Sequence, residues 1–146
     1  MCIRDRITGP DGDEAPVHMG SYGVGVSRLV GAIIEASHDG KGIVWPEAVA
    51  PFRVGLVNIK SDDKKCVEVC EDVYSSFNET KQDILYDDRD ERAGAKLNDM
   101  DLIGLPWQVI VGPRGIKSGR LELKNRRSGT TEDLSIETLK QRFLTN

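Results

Sequence analysis

Apolar positions along this chain fall into blocks whose spacing changes repeatedly, and each change marks an element. Asp11-Gly12-Asp13 is turn chemistry, and the residues from about Val17 into Tyr22 are expected to run as a strand. A glycine-rich segment follows, from Gly20 to Arg28. After it Leu29, Val30, Ile33 and Ile34 repeat at spacings of three and four. That spacing predicts a helix with Ser27 as its N-cap, ended by His38-Asp39-Gly40. Pro46 and Pro51 make residues 43–52 an extended linker.

A second unit begins near Arg53. Val54 to Ile59 is a near-continuous apolar run, as a strand covered on both faces requires. Cys66, Val69, Cys70, Val73 and Phe77 form a helical stripe, and Ile84-Leu85-Tyr86 a short strand. Leu97 and Met100 mark another helix, which Gly104 and Pro106 stop. Trp107 to Val111 is a strand. Leu121 and Leu123 alternate with Arg120, Glu122 and Lys124, the pattern of a half-exposed strand. Ile136, Leu139 and Phe143 make a final amphipathic helix, with Glu137 early and Lys140 and Arg142 late, as the helix dipole favours. The order β-α-β-α-β-β-α predicts a mixed α/β sheet with helices packed on it. The first 50 residues hold too little to build a core and are expected to belong to something larger.

Composition narrows the classes. Among 146 residues, 20 are Lys or Arg and 24 are Asp or Glu, a net charge of −4. A uniformly basic nucleic-acid coat is excluded, so any RNA contact must come from a local patch. No apolar stretch approaches the roughly 18 residues of a membrane span. Three cysteines, Cys2, Cys66 and Cys70, do not make a disulfide framework, which fits a reducing, cytosolic setting. Cys66 and Cys70 read as small apolar residues of a buried face rather than metal ligands. Met1 to Arg6 lacks the apolar core of a secretory signal.

Two segments carry candidate chemistry. Gly23 and Gly25 begin a dinucleotide-type fingerprint, but its third glycine position is Arg28. Two readings stay open. One is a strand-to-helix turn eased by glycine. The other is a nucleotide site, in which bare glycines admit a flat base and Arg28, at a helix start, offers its planar fork to phosphate. The run Asp87 to Lys96 holds four acids and three bases. It reads as a solvated loop entering a helix, or as groups for single-stranded bases. Arg114, Lys117, Arg120, Lys124, Arg126 and Arg127 surround one acid, Glu122. They either follow an RNA backbone or form a solvated hairpin face. His18 and His38 have no nucleophile beside them in a recognisable arrangement, and Trp45 and Trp107 read as packing residues.

The segment Gly20-Ser21-Tyr22-Gly23-Val24-Gly25-Val26-Ser27-Arg28 resembles the third signature motif of class II aminoacyl-tRNA synthetases. The wider run from Met19 to Phe52, with Gly42-Ile43-Val44-Trp45-Pro46 and Ala50-Pro51-Phe52, is similar to the bacterial-type prolyl members of that class. Asp87 to Lys96 and Leu102-Ile103-Gly104-Leu105-Pro106 resemble their anticodon-binding domain. Met1 to Arg6 does not resemble the family.

The resemblance implies an α/β fold. A mixed-sheet anticodon-binding domain with flanking helices would occupy residues 51–146. Residues 1–50 would be the strand–helix end of a class II antiparallel catalytic domain. It implies a proline–tRNA ligase: activation of proline with ATP and Mg²⁺, then transfer to tRNA(Pro), in a cytoplasmic homodimer. Arg28 would be the catalytic Arg, contacting ATP phosphates or stacking on adenine. Gly23 and Gly25 would border the nucleotide, with Ser21 near the proline pocket. Arg89, Arg92 and Lys96 would meet anticodon bases and phosphates, with Glu91 and Asp88 beside them. Proline anticodons end in two guanines, which arginine reads well. The first two motifs of the class are absent from this sequence, so the chain alone is expected to be inactive and Met1 to be an internal or artificial start. Two alternatives remain: a class II synthetase for threonine, glycine or histidine, and a non-catalytic RNA-binding module in which Arg28 is a relic.

Overall fold

The computed structural model describes residues 5–18 and 20–144. Cys2, the Met1–Arg4 part of the unfamiliar N-terminus, and Met19 at the head of the synthetase-like run lie outside the described residues.

The chain opens with a hairpin. Strands β1 (Arg6–Thr8) and β2 (Glu14–Pro16) pair antiparallel. Gly12, at φ +83°, turns the loop between them, as Asp11-Gly12-Asp13 foretold. The strand expected over Val17–Tyr22 is absent among the described residues: β2 ends at Pro16, opposite Arg6, and the pairing closes with a bond from the Val17 amide to the Asp5 carbonyl. Helix α1 (Val26–Ala36) begins two residues earlier than expected. Its N-cap is Gly25, not Ser27, and the Gly25 carbonyl accepts from the amides of Arg28 and Leu29. No residue of the apolar stripe of α1 is fully buried; Ile33 and Ile34 are half-buried, and Leu29 is 43% and Val30 51% exposed.

A two-strand hairpin follows, β3 (His38–Asp39) with β4 (Gly42–Ile43). The presumed linker is therefore partly structured, and also holds a 3-10 turn at Glu47–Val49. The hairpin packs on the end of a later helix, α3 (Ala93–Ile103). Gly104 caps that helix at φ +77°, and a Cβ there would overlap the Ile43 carbonyl. Only glycine meets both demands. The same junction carries a backbone bond from Trp45 N–H to the Gly104 carbonyl at 3.0 Å.

Beyond residue 53 one five-stranded sheet organises the chain, in the order β6-β5-β7-β8-β9. Its strands are β5 (Val54–Asn58), β6 (Ile84–Asp87), β7 (Trp107–Val111), β8 (Leu121–Asn125) and β9 (Thr131–Leu134). The pairings β5–β6 and β5–β7 are parallel and β7–β8 and β8–β9 antiparallel, so the sheet is mixed as expected. Helix α2 (Lys64–Glu79) crosses from β5 to β6, and α3 from β6 to β7. Asp63 caps α2 by accepting from the amides of Lys65 and Cys66, worth about 1 kcal/mol. Short helix α4 (Pro113–Lys117) precedes β8, and α5 (Ile136–Leu144) ends the described chain.

Strand alternation sends Val54 and Leu56 into one core and Val57 into another. In the larger core Cys66, Cys70, Val73 and Phe77 of α2 meet Val109, Leu123, Leu139 and Phe143. Both thiols are fully buried apolar residues, as the spacing indicated. Truncating a residue as enclosed as Phe77 costs about 3–5 kcal/mol. Trp107 packs edge-on against Phe143, with centroids 5.8 Å apart. On the opposite face Met100 and Leu105 close over Val57.

Candidate nucleic-acid interface

The connection from β5 leads through α2 to β6, on one side of β5. The connection from β6 leads through α3 to β7, on the other side. The strand order therefore reverses beside β5, and open sheets of this kind present a crevice at the carboxyl ends of such strands. Here α3 covers the β5 part of its face, leaving Ile110, Glu122 and Asp133 in register across β7, β8 and β9. These three line a cavity of about 710 Å³. Ile59 and Leu97 extend its apolar floor, and Arg114 and Arg120 stand at its edge.

Glu122 and Asp133 are direct cross-strand neighbours. Like charges placed so oppose folding by a few tenths of a kcal/mol or more. A splayed guanine placed there would relieve that repulsion. Its N1–H and amino group donate to carboxylates, while O6 and N7 accept from arginine. Apolar floor, paired acids and two guanidinium groups together offer surface and polar groups complementary to a flat, bifunctional base.

The anticodon residues expected from sequence divide sharply. Lys96 is the main correction: it is 0% exposed, and its Nζ donates to the Asn58 carbonyl at 2.8 Å. An ammonium enclosed in this way does not reach RNA. Arg89 is half-exposed, but its fork is occupied. Its Nε and Nη2 donate to Asp87 at 3.0 and 2.8 Å, and Nη2 also donates to Asp99 at 2.8 Å. The Arg89 bond holds the nearly buried Asp87 carboxyl below the usual carboxylate range, against burial, which pushes it up. Asp88, Glu91 and Arg92 are exposed. Arg92 occupies the N-cap of α3, next to Ala93 of the crevice wall.

The basic run also divides. Arg114, Lys117, Arg120 and Arg127 are exposed, but Lys124 and Arg126 are not free. Lys124 donates to Asp101 at 2.6 Å, and Arg126 is only 4% exposed and paired with Asp39. A six-residue basic face is thus corrected to four residues, because the β8 end turns inward on Asp101. Sequence reading placed base contacts in Asp87–Lys96 and missed Asp133 altogether. The missing signal was register: nothing in Thr131–Leu134 shows which strand it will face.

At the other end of the chain, Ser21, Gly23, Gly25 and Arg28 are all exposed. Open space surrounds the Gly23 Cα, and the Arg28 side chain lies along Gly25, with Cδ 3.5 Å from where a Cβ would stand. The guanidinium begins at the first turn of an 11-residue helix, where backbone amides favour anions. These features fit a nucleotide polyphosphate. Among the described residues no group of three or more His, Cys, Asp or Glu could hold a metal ion, and no helix is long and apolar enough to cross a membrane.

Residues 53–146 match the anticodon binding domain family. A proline–tRNA ligase of Parvibaculum lavamentivorans is 65% identical over 131 residues, covering 90% of this chain and 30% of the relative. One from a Chelativorans species is 57% identical over 138 residues, covering 94% and 31%. The crystal structure of prolyl-tRNA synthetase from Cryptosporidium parvum, in complex with L-proline and AMP, superposes with a TM-score of 0.71 at 22% identity. It covers 94% of this chain and 30% of that one, and supports the fold. The chain thus spans about 30% of the length of the curated relatives it matches.

Proposed function

The chain belongs to the anticodon binding domain family, and from that membership we propose that it is the tRNA-reading part of a proline–tRNA ligase, together with a portion of the ATP site. The crevice of Arg114, Arg120, Glu122 and Asp133 carries this reading. Proline anticodons end in two guanines, and guanine is the base that pairs arginine acceptor contacts with carboxylate donor contacts on one ring. Arg92, next to Ala93 of the crevice wall, and the exposed Asp88 and Glu91 would add contacts to the same RNA. Arg89 shapes the same loop through Asp87 and Asp99.

In the ligase, ATP would activate the proline carboxyl group. Arg28 would hold phosphate oxygens or stack on adenine, Gly23 and Gly25 would let the nucleotide approach the backbone, and Ser21 would stand near proline. Mg²⁺ would come with ATP, held by groups elsewhere in the ligase. Catalysis here is charge stabilisation and positioning, which rigid donors supply. A homodimer acting in the cytoplasm completes the reading.

The test uses anticodon stem–loop RNAs. Arg114→Ala and Arg120→Ala should each remove about 1–3 kcal/mol of discrimination for guanine over other bases. Equal weakening toward every stem–loop would assign both arginines to phosphates instead. In a ligase of the relatives' length that carries this chain, Arg28→Ala should reduce proline-dependent ATP–pyrophosphate exchange severely. Normal exchange would remove Arg28 from the ATP site.

A further inference from the structure

The hairpin β3–β4 is tied at both ends. On the α1 side, the Ser37 amide donates to the Ile34 carbonyl, His38 Nδ1 donates to the Glu35 carbonyl at 2.9 Å, and the Val44 amide donates to the Ser37 carbonyl at 2.9 Å. On the sheet side, Arg126 donates from Nη1 and Nη2 to the two oxygens of Asp39, each at 2.7 Å. The Arg126 Nε donates to the Asp101 carbonyl at 3.0 Å, and its backbone amide to the Pro106 carbonyl at 2.9 Å. Asp39 is itself fixed, because its Oδ1 accepts from the amides of Lys41 and Gly42. Each nitrogen of the buried guanidinium therefore donates to an acceptor of the hairpin or of the α3 end.

Arg126 directly follows β8, the strand that carries Glu122 into the crevice. Asp39 lies three residues after the end of α1, the helix that carries Arg28. We propose that Arg126, acting through Asp39, is a positioning residue that fixes the Arg28 helix relative to the base-reading crevice. Neither residue lines the crevice. A bidentate guanidinium–carboxylate pair constrains both distance and orientation, which a single ammonium does not. This inference rests on the proposed function for its consequence, while its structural half stands apart from it.

Asp39→Asn tests it, since the amide oxygen keeps the turn bonds to Lys41 and Gly42 and loses the charged fork contact. In the chain itself, backbone amide exchange at Val44 and Trp45 should accelerate about ten-fold or more, as local opening no longer breaks a charged pair. Affinity for the anticodon stem–loop should stay within about two-fold. In the longer ligase, kcat/KM for tRNA charging should fall about 10- to 100-fold, the cost of a displaced reacting group. Proline-dependent pyrophosphate exchange should remain near normal. Arg126→Lys should behave the same way. Unchanged amide exchange would overturn the lock. Parallel loss of charging and pyrophosphate exchange, or loss of neither, would overturn the positioning role. A wild-type ligase without proline-dependent exchange would instead overturn the proposed function, and the amide exchange of the hairpin would still decide the lock.

Discussion

Lys96 on α3 donates its buried ammonium to the backbone carbonyl of Asn58, the last residue of β5, at 2.8 Å. The bond joins the helix to the strand end beside the crevice. Lys96→Met keeps the length of the side chain and leaves that carbonyl without its donor. Denaturant unfolding should then lose about 1–3 kcal/mol of stability. The salt dependence of RNA binding should not change, whereas removal of a phosphate contact would lower the slope by about 1.

Glu122 and Asp133 predict opposite effects on stability and on recognition. Glu122→Gln removes a like-charge neighbour across β8 and β9. Thermal unfolding should show a gain of about 0.2–1 kcal/mol. Preference for guanine-bearing stem–loops should fall in the same variant. A variant that is less stable and equally selective would show that the two acids do not serve the crevice.

The buried thiols should be inert. Burial pushes the Cys70 thiol up to about 12, despite a hydrogen bond with Tyr86 that draws it down. Burial also raises Cys66, with Asp63 adding to it. Since the thiolate is the reactive species, peptide mass spectrometry after mild alkylation should find both residues unmodified in the folded chain and modified in denaturant. Labelling of native Cys70 would contradict the enclosed core.

Acid should loosen the hairpin. The Arg126 hydrogen bonds, and then the Lys41 amide, hold the Asp39 carboxyl well below its ordinary 3.8. A carboxyl lowered in the folded state stabilises above its unfolded pKa and loses that contribution as pH falls. Asp101 shifts the same way, because bonds from Lys124 and Gln108 outweigh the burial that pushes it up. Hairpin amide exchange should therefore be insensitive to pH-driven opening near neutrality and show increased opening below about 3.8. Asp39→Asn should abolish most of that acid dependence.

Much of this was readable from the chain. Strand β5 announced itself because five buried residues in a row admit little else, and α2 because Cys66, Cys70, Val73 and Phe77 share one face. Beyond residue 53 two elements escaped. Helix α4 has five residues and a glycine, too short for periodicity, and β9 reads Thr-Glu-Asp-Leu, an exposed strand without apolar alternation. Lys96 was misjudged for a different reason. It lies four residues before Met100, on the inward stripe of α3, and its spacing pointed to burial while its charge pointed outward. Spacing prevailed because Asn58 supplied an acceptor. The Asp39–Arg126 pair spans 87 residues, and no local pattern reveals a contact of that range.

Strand β9 has one more consequence. It closes the sheet on the side away from β6, and a terminal strand leaves half its backbone groups open to pairing. Its exposed Thr131, Glu132 and Asp133 put two negative charges on that margin within four residues. A second copy of the chain arriving there in the same register would align acids with acids. The margin is thereby guarded against sheet-to-sheet aggregation, and Asp133 belongs both to that guarded edge and to the crevice.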